Sequence, residues 1–134
     1  MDIVVNIDVD DLERAVAFYR DVLGLQTERW LFDGSVVEMT GASSKIHLLA
    51  KGPGSAASSE ADIPRSYRRH WTPVHLDFAV EDVESAANRA VAAGATLEGE
   101  IQTFNWGRIA TLSDPFGHGF CLLQFAGIGY DEVA

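Results

Sequence analysis

One phrase occurs twice in this chain, and the repetition limits what the chain can fold into. Val4–Leu12 reads V-V-N-I-D-V-D-D-L, and His75–Val83 reads H-L-D-F-A-V-E-D-V, 71 residues later. In the first copy Val5, Ile7 and Val9 alternate with Val4, Asn6 and Asp8. In the second, Val74, Leu76, Phe78 and Val80 alternate with His75, Asp77 and Ala79. A period of two residues is the mark of a strand with two unlike faces. Each copy then runs through an acidic pair into an apolar stripe at helical spacing, and a fixed-length repeat of this kind points to duplicated structural units.

The text after each copy keeps the same order. In the first module, residues 3–9 predict a strand and Asp10 or Asp11 a helix cap. Leu12, Ala15, Val16, Tyr19, Val22 and Leu23 predict a helix over about 12–23, which Gly24 ends. Gln26–Phe32 predicts a strand, Asp33-Gly34 a tight turn, and Ser35–Met39 and Lys45–Ala50 two more strands about a Gly41–Ser44 turn. In the second module Val74–Val80 predicts a strand and Asp82 a cap. Val83, Ala86, Ala87, Ala90 and Val91 form the helix stripe, and Gly94 closes it. A strand over 95–104, a turn at Asn105-Trp106-Gly107, a strand over Arg108–Leu112, the turn Asp114-Pro115-Phe116-Gly117 and a strand over Gly119–Phe125 complete it. The endings also match: I-H-L-L-A at Ile46–Ala50 against F-C-L-L-Q at Phe120–Gln124.

The predicted architecture is therefore α+β, one domain over 1–134 made of two βαβββ modules: module one 3–50, a linker 51–72, module two 73–125 and a tail 126–134. A helix covers one face of each sheet, and the other face must meet something. Two modules that pair form an open, cavity-forming sheet. On this reasoning the apolar row Val74, Leu76, Phe78 meets the helix, and the row His75, Asp77, Ala79 lines the cavity, the ordinary place for a small-molecule site. The linker opens with the flexible composition K-G-P-G-S-A-A-S-S-E and ends as R-S-Y-R-R-H-W. There the cations, with Tyr67 and Trp71, suit either an anionic ligand or a solvated segment whose aromatics pack down. Gly127 and Gly129 discourage regular structure in the tail, where Tyr130 is the residue able to dock.

The net charge of −10 opposes nucleic acid and anionic membrane as partners, because both need a cationic footprint. No apolar run approaches the roughly 20 residues that span a bilayer. No basic or long apolar leader follows Met1, and the single Cys121 has no partner for an intrachain disulfide. Both features fit a cytoplasmic protein.

Three stretches carry a family resemblance: D-L-E-R-A-V-A-F-Y-R-D-V-L-G-L at Asp11–Leu25, V-H-L-D-F-A-V-E-D-V at Val74–Val83 and D-P-F-G-H-G-F at Asp114–Phe120. Together they resemble the vicinal oxygen chelate superfamily, which includes glyoxalase I, extradiol dioxygenases, and bleomycin- and fosfomycin-resistance proteins. The resemblance implies the glyoxalase/bleomycin resistance/dioxygenase fold, a small-molecule ligand and pairing as a homodimer. It also implies a divalent metal (Zn, Fe, Mn or Ni) at four strand positions, two per module. Those positions fall here on Val4, His47, His75 and Cys121. Val4 carries no donor, so it replaces the fourth ligand with nothing, and Cys121 stands where the enzymes usually have Glu.

His47, His75 and Cys121 remain as metal candidates, two imidazoles and a thiolate being a sensible zinc set with an open position. Cys121 within F-C-L-L serves equally as a small buried residue. Ligand-contact candidates are His47, His75, Asp77, Trp106 and Cys121, and acid/base candidates are Glu38 and His75. Glu38 in V-V-E-M reads more simply as a solvated strand residue, and His70 and His118 as solvent-facing loop residues.

Three functions stay open on the sequence. The chain is a metal-dependent lyase or dioxygenase acting on vicinal oxygens. Alternatively it is a metal-free, bleomycin-resistance-like protein that sequesters an antibiotic-type ligand, with Trp30, Trp71 and Trp106 available for stacking. In the third reading it is a metal-independent isomerase or epimerase using His75 or Glu38 as base.

Overall fold

The computed structural model describes residues 1–134, and the chain divides into two compact units, Met1–Arg68 and Arg69–Ala134. In the first unit β1 (Val4–Val9), α1 (Leu12–Leu23), β2 (Gln26–Leu31), β3 (Val36–Thr40) and β4 (Lys45–Ala50) follow in the expected order. The sheet runs β1-β4-β3-β2, with β1 parallel to β4 and the other pairs antiparallel. α1 starts where the Asp11 carboxylate accepts the Arg14 N–H at 3.0 Å, and it ends at Gly24 with φ 69°. That left-handed backbone is open to glycine without a Cβ penalty. The helix buries Ala15, Phe18, Tyr19 and Val22 and packs against β3 and β4, whose helix-side residues Val37, Met39, Ile46 and Leu48 are buried.

The β2–β3 turn is centred on Asp33-Gly34 as expected, with Leu31 paired to Val36, and Phe32 joins it. Its left-handed residues are Phe32 (φ 50°), Asp33 (φ 53°) and Gly34 (φ 84°), with the Gly34 N–H bonded to the Leu31 carbonyl at 3.1 Å. Residues 51–68, linker-like by composition, fold back onto this unit. Arg65 Nε donates to Asp8 Oδ2 at 2.6 Å, and the Tyr67 hydroxyl donates to the Lys51 carbonyl at 2.6 Å. Those groups answer one another within the unit instead of presenting free cations.

The second unit holds β5 (Leu76–Ala79), α2 (Val83–Ala92), β6 (Thr96–Leu97), β7 (Gln102–Phe104), β8 (Gly107–Ser113) and β9 (Gly119–Phe125). The order is β5-β9-β8-β6, with β7 also on β8, and β5 lies parallel to β9. Asp82 caps α2 by accepting the Glu84 and Ser85 N–H groups at 3.1 Å each. The helix buries Val83, Ala86, Ala87 and Ala90 and packs against β6, β8 and β9. Both sheets are open and mixed, and the α+β class is as expected. No helix is long and apolar enough to cross a membrane.

Three local expectations fail in this unit. The first strand spans 76–79, not 74–80. Pro73 has no N–H to pair, the Thr72 hydroxyl turns back onto the Val74 carbonyl, and Val74 is 81% exposed instead of facing the helix. The single strand over 95–104 is two short strands, broken where Gly99 takes φ 82° and Glu98 turns to Arg69. The tail, expected to lack regular structure, forms a 3₁₀ turn over Gly129–Val133, though Tyr130 does dock there as expected, against Trp106 and Phe125 at 5.1 and 4.9 Å between ring centres.

Candidate functional site

Strand register decides which side chains meet. In the second unit Asp77 pairs with Cys121 across β5 and β9, and Cys121 pairs with Thr111 across β9 and β8. The three residues therefore form one row on the sheet face away from α2. His75 precedes Asp77 by two residues and returns to the same face. Its Nε2 lies 3.4 Å from Asp77 Oδ1, and the ligating atoms of His75, Asp77 and Cys121 all fall within 4.8 Å of one another. Cys121 is 5% exposed, while His75 and Asp77 reach solvent, so the cluster is closed below and open above. Burial pushes the Cys121 thiol above its ordinary pKa. The Thr111 hydroxyl, 3.8 Å from the sulfur, opposes that rise, and the Asp77 carboxylate adds to it. No lysine or arginine pairs with Asp77.

Trp71 forms the side of this cluster. Its ring meets the His75 ring edge-on at 5.7 Å and lies against Gly119. A Cβ on Gly119 would stand 2.5 Å from the indole, so only glycine lets the ring approach β9 this closely. The Arg69 guanidinium covers the ring at 4.5 Å, an attraction of cation and ring quadrupole. Arg69 Nη2 in turn donates to Glu98 Oε2 at 2.6 Å, and that bond holds the Glu98 carboxyl below its usual range. With Arg69, Gly119 and His75 against it, the Trp71 ring is held in place and is not a free stacking platform.

Two histidines read as solvent-facing are neither. His118 Nδ1 and His70 Nε2 stand 2.9 Å apart, and the His70 N–H bonds the Gly117 carbonyl. Asp114 Oδ1 fixes the turn between them by accepting the Phe116 and His118 N–H groups at 2.8 and 2.9 Å. This bridge holds the backbone just before Trp71 against the 114–118 turn.

In the first unit the corresponding row is Asn6, His47, Glu38 and Arg29, paired across β1, β4, β3 and β2. Glu38 is 5% exposed, not solvated as its strand pattern suggests. Arg29 Nε donates to its Oε1 at 2.9 Å, Lys45 Nζ donates to the same oxygen at 3.2 Å, and His47 Nε2 lies 2.9 Å from Oε2. Lys45 also pairs with Glu28. The Arg29 bond, then the His47 bond, pull the Glu38 pKa down to about 2 against the opposing effect of burial. A carboxylate held that low is a feeble base at neutral pH.

Among the residues singled out from sequence, the structure brings His75, Asp77 and Cys121 together. His47 and Glu38 share a different cluster. Trp106 lies five residues before Thr111, just ahead of β8, its ring parallel to Phe104 at 5.6 Å. Thr111, Gly119 and Glu98 went unnoticed, and Arg69 was noted only as one of the cations at the end of the linker. Gly119 inside a strand is the one sequence signal that pointed to a close approach.

Residues 4–123 match the model of the glyoxalase-like domain. The anthracycline biosynthesis protein DauV of Streptomyces sp. strain C5 is 29% identical over 120 residues, covering 90% of this chain and 40% of that protein. The chain thus spans about two fifths of the curated relatives it matches. A glyoxalase/bleomycin resistance protein/dioxygenase family enzyme from Burkholderia phytofirmans superposes with a TM-score of 0.70 at 23% identity, covering 92% and 97% of the two chains. TnmS3, an antibiotic binding protein from Streptomyces sp. CB03234, superposes with a TM-score of 0.64 at 22% identity, covering 94% and 96%.

Proposed function

The chain belongs to the glyoxalase-like domain family, and from that premise we propose that it binds and sequesters a small organic molecule without transforming it. The observation that carries this reading is the Glu38 cluster. Of the two metal positions that the resemblance implies in the first unit, Val4 has no donor. The other, His47, gives its Nε2 to a carboxylate that Arg29 and Lys45 already neutralise. No net negative charge is left there to hold a divalent ion, so a four-ligand chelate fed by both units does not fit these residues. The acid/base alternative weakens with it, since Glu38 stays ionised and fully engaged.

The ligand contacts the open face of the second unit, beside His75, Asp77 and the edge of Trp71. The likeness to DauV makes anthracyclines the first compounds to try, followed by bleomycin-type and other cationic molecules, which the charge of −10 favours. The test is a tryptophan-fluorescence titration with chelator present, repeated on Trp71→Phe, followed by mass analysis of the recovered ligand. Saturable quenching that Trp71→Phe diminishes, with the ligand intact, is expected. Silence across the panel, or a chemically altered ligand, overturns the reading.

A metal-dependent lyase or dioxygenase is the second reading, favoured by the proximity of His75, Asp77 and Cys121. These residues would hold a divalent ion, which would supply Lewis-acid polarisation of ligand oxygens. His75 and Asp77 would orient the ligand at the open side, and Trp71 would exclude water. Chelator-sensitive turnover of a vicinal-oxygen substrate replaces the first reading with this one. We also propose the paired, homodimeric state, for which light scattering at twice 14.6 kDa is the check.

A further inference from the structure

We propose that the end of the second unit carries a binding site for an organic cation, an amine or quaternary ammonium group on a small apolar body. The cation sits in a corner made by the Phe125 and Tyr130 rings, with the Asp131 carboxylate at its rim. This goes beyond the sequestering reading, because the place is a different one. Phe125 lies four residues beyond Cys121 along β9, roughly 13 Å away. Residues 125–131 also fall past position 123, where the match to the glyoxalase-like domain ends.

Four observations carry it. The first is the corner itself. The Phe125 and Tyr130 rings stand 4.9 Å apart at 79°, two walls nearly at right angles. Trp106 rests against Tyr130 at 5.1 Å and Phe104 stacks on Trp106, so a row of rings braces the corner. The backbone holds it in shape: the Ala126 N–H bonds the Trp106 carbonyl at 2.9 Å, and the Gly129 N–H bonds the Ala126 carbonyl at 2.8 Å. Second, both rings line a shallow hollow of about 470 Å³, with Gly127, Ile128, Gly129 and Asp131 as its other walls. That volume suits a small molecule. Third, Phe125, Ile128 and Tyr130 are 44%, 66% and 51% exposed, a contiguous apolar surface left in water. Charge is the fourth. No lysine or arginine pairs with the exposed Asp131, whereas Glu132 is taken up by the turn and accepts the Ile128 N–H at 3.3 Å. Ring faces and a carboxylate without a counter-ion both attract a cation, and the net charge of −10 adds to the pull. A second copy of the chain would bring an equally acidic rim, so like-charge repulsion disfavours it as the occupant.

The experiment is a proton–nitrogen correlation titration of the full chain with choline, set against its neutral isostere 3,3-dimethylbutan-1-ol. Saturable choline shifts are expected at the amides of Gly127, Gly129 and Asp131, with the Gly119 amide beside Trp71 unmoved. The neutral isostere binds about three- to tenfold more weakly. Tyr130→Phe binds choline like the wild type, because the ring face is kept. Tyr130→Leu, apolar but without a ring, loses about threefold or more, and Asp131→Asn about two- to fivefold. Amide spectra that match the wild type outside the tail confirm that the variants fold. Absence of saturable tail shifts overturns the assignment, as does equal affinity for the neutral isostere or undiminished binding in Tyr130→Leu. Tail shifts that follow protein concentration without choline assign the surface to a second copy and overturn it too.

Discussion

The two units repeat one strand plan, and equivalent places in their sheets carry opposite chemistry. Asn6, His47 and Glu38 occupy the same row as Asp77, Cys121 and Thr111. In the first unit that row closes on itself: a buried carboxylate collects Arg29, Lys45 and His47, and every charge has a partner. In the second, the buried member is a thiol, its neighbour is a hydroxyl, and the carboxylate has moved to the outer strand, where an imidazole and the thiol stand near it but no lysine or arginine does. The fold therefore supplies positions, and the cross-strand neighbour decides whether a position is structural or available. A histidine next to a neutralised glutamate is part of a brace. Near an uncompensated aspartate and a cysteine, it becomes a ligand in waiting.

The comparison can be broken first at its glycines. Gly107 and Gly34 are equivalent, each four residues before the central strand's row member, Thr111 or Glu38. A Cβ on Gly107 would stand 2.1 Å from the Gln124 carbonyl oxygen at φ 151°, whereas one on Gly34 meets nothing within 4 Å. Gly107→Ala should cost about 3 kcal/mol or more by backbone displacement, and Gly34→Ala about 1 kcal/mol from its left-handed backbone alone. Denaturant unfolding measures both, and equal losses would contradict the asymmetry.

Gly119→Ala comes next. Its methyl group strikes the Trp71 ring, which must leave Gly119 and with it Arg69 and His75. A loss of about 1–3 kcal/mol is expected from overpacking, with a changed tryptophan emission. The reverse pair, Gly119→Ala with Trp71→Ala, should recover part of that loss.

The Glu38 brace makes a pH-limited contribution. Its folded pKa of about 2 lies below the ordinary 4.5, so its stabilisation is present above about pH 4.5 and is lost as pH falls toward 2. The melting temperature of the wild type should fall more steeply across that window than that of Glu38→Gln. Parallel slopes would remove Glu38 from the account.

The smallest expected effect is a gain. Phe32 is an exposed aromatic residue in a left-handed turn position, where Asn sits more easily. Phe32→Asn should stabilise the first unit by roughly 0.5–1 kcal/mol, read again by denaturant unfolding.

What the sequence disclosed was local or periodic. Asp11, Asp82 and Gly24 announce helix ends because capping is settled within a few residues, and the strand order follows from the repeat. The Glu38–His47 and Thr111–Cys121 pairs were not drawn from the sequence because register depends on the geometry of the intervening turns. The His70–His118 bridge joins residues far apart in the chain, and nothing in either neighbourhood signals it. The break at Gly99 was missed because Thr96–Phe104 alternates well enough to pass for one strand. The resemblance directed attention to His75 and the two-residue period put Asp77 on its face, while the register is what sets Cys121 beside Asp77.

The difference between the two rows can be read from the histidine side chains themselves. In a long-range proton–nitrogen correlation spectrum, one equivalent of Zn²⁺ should shift the ring nitrogens of His75 and leave those of His47 in place. A shift of His47 together with His75, or of neither, would contradict the claim that the second unit alone presents an available site.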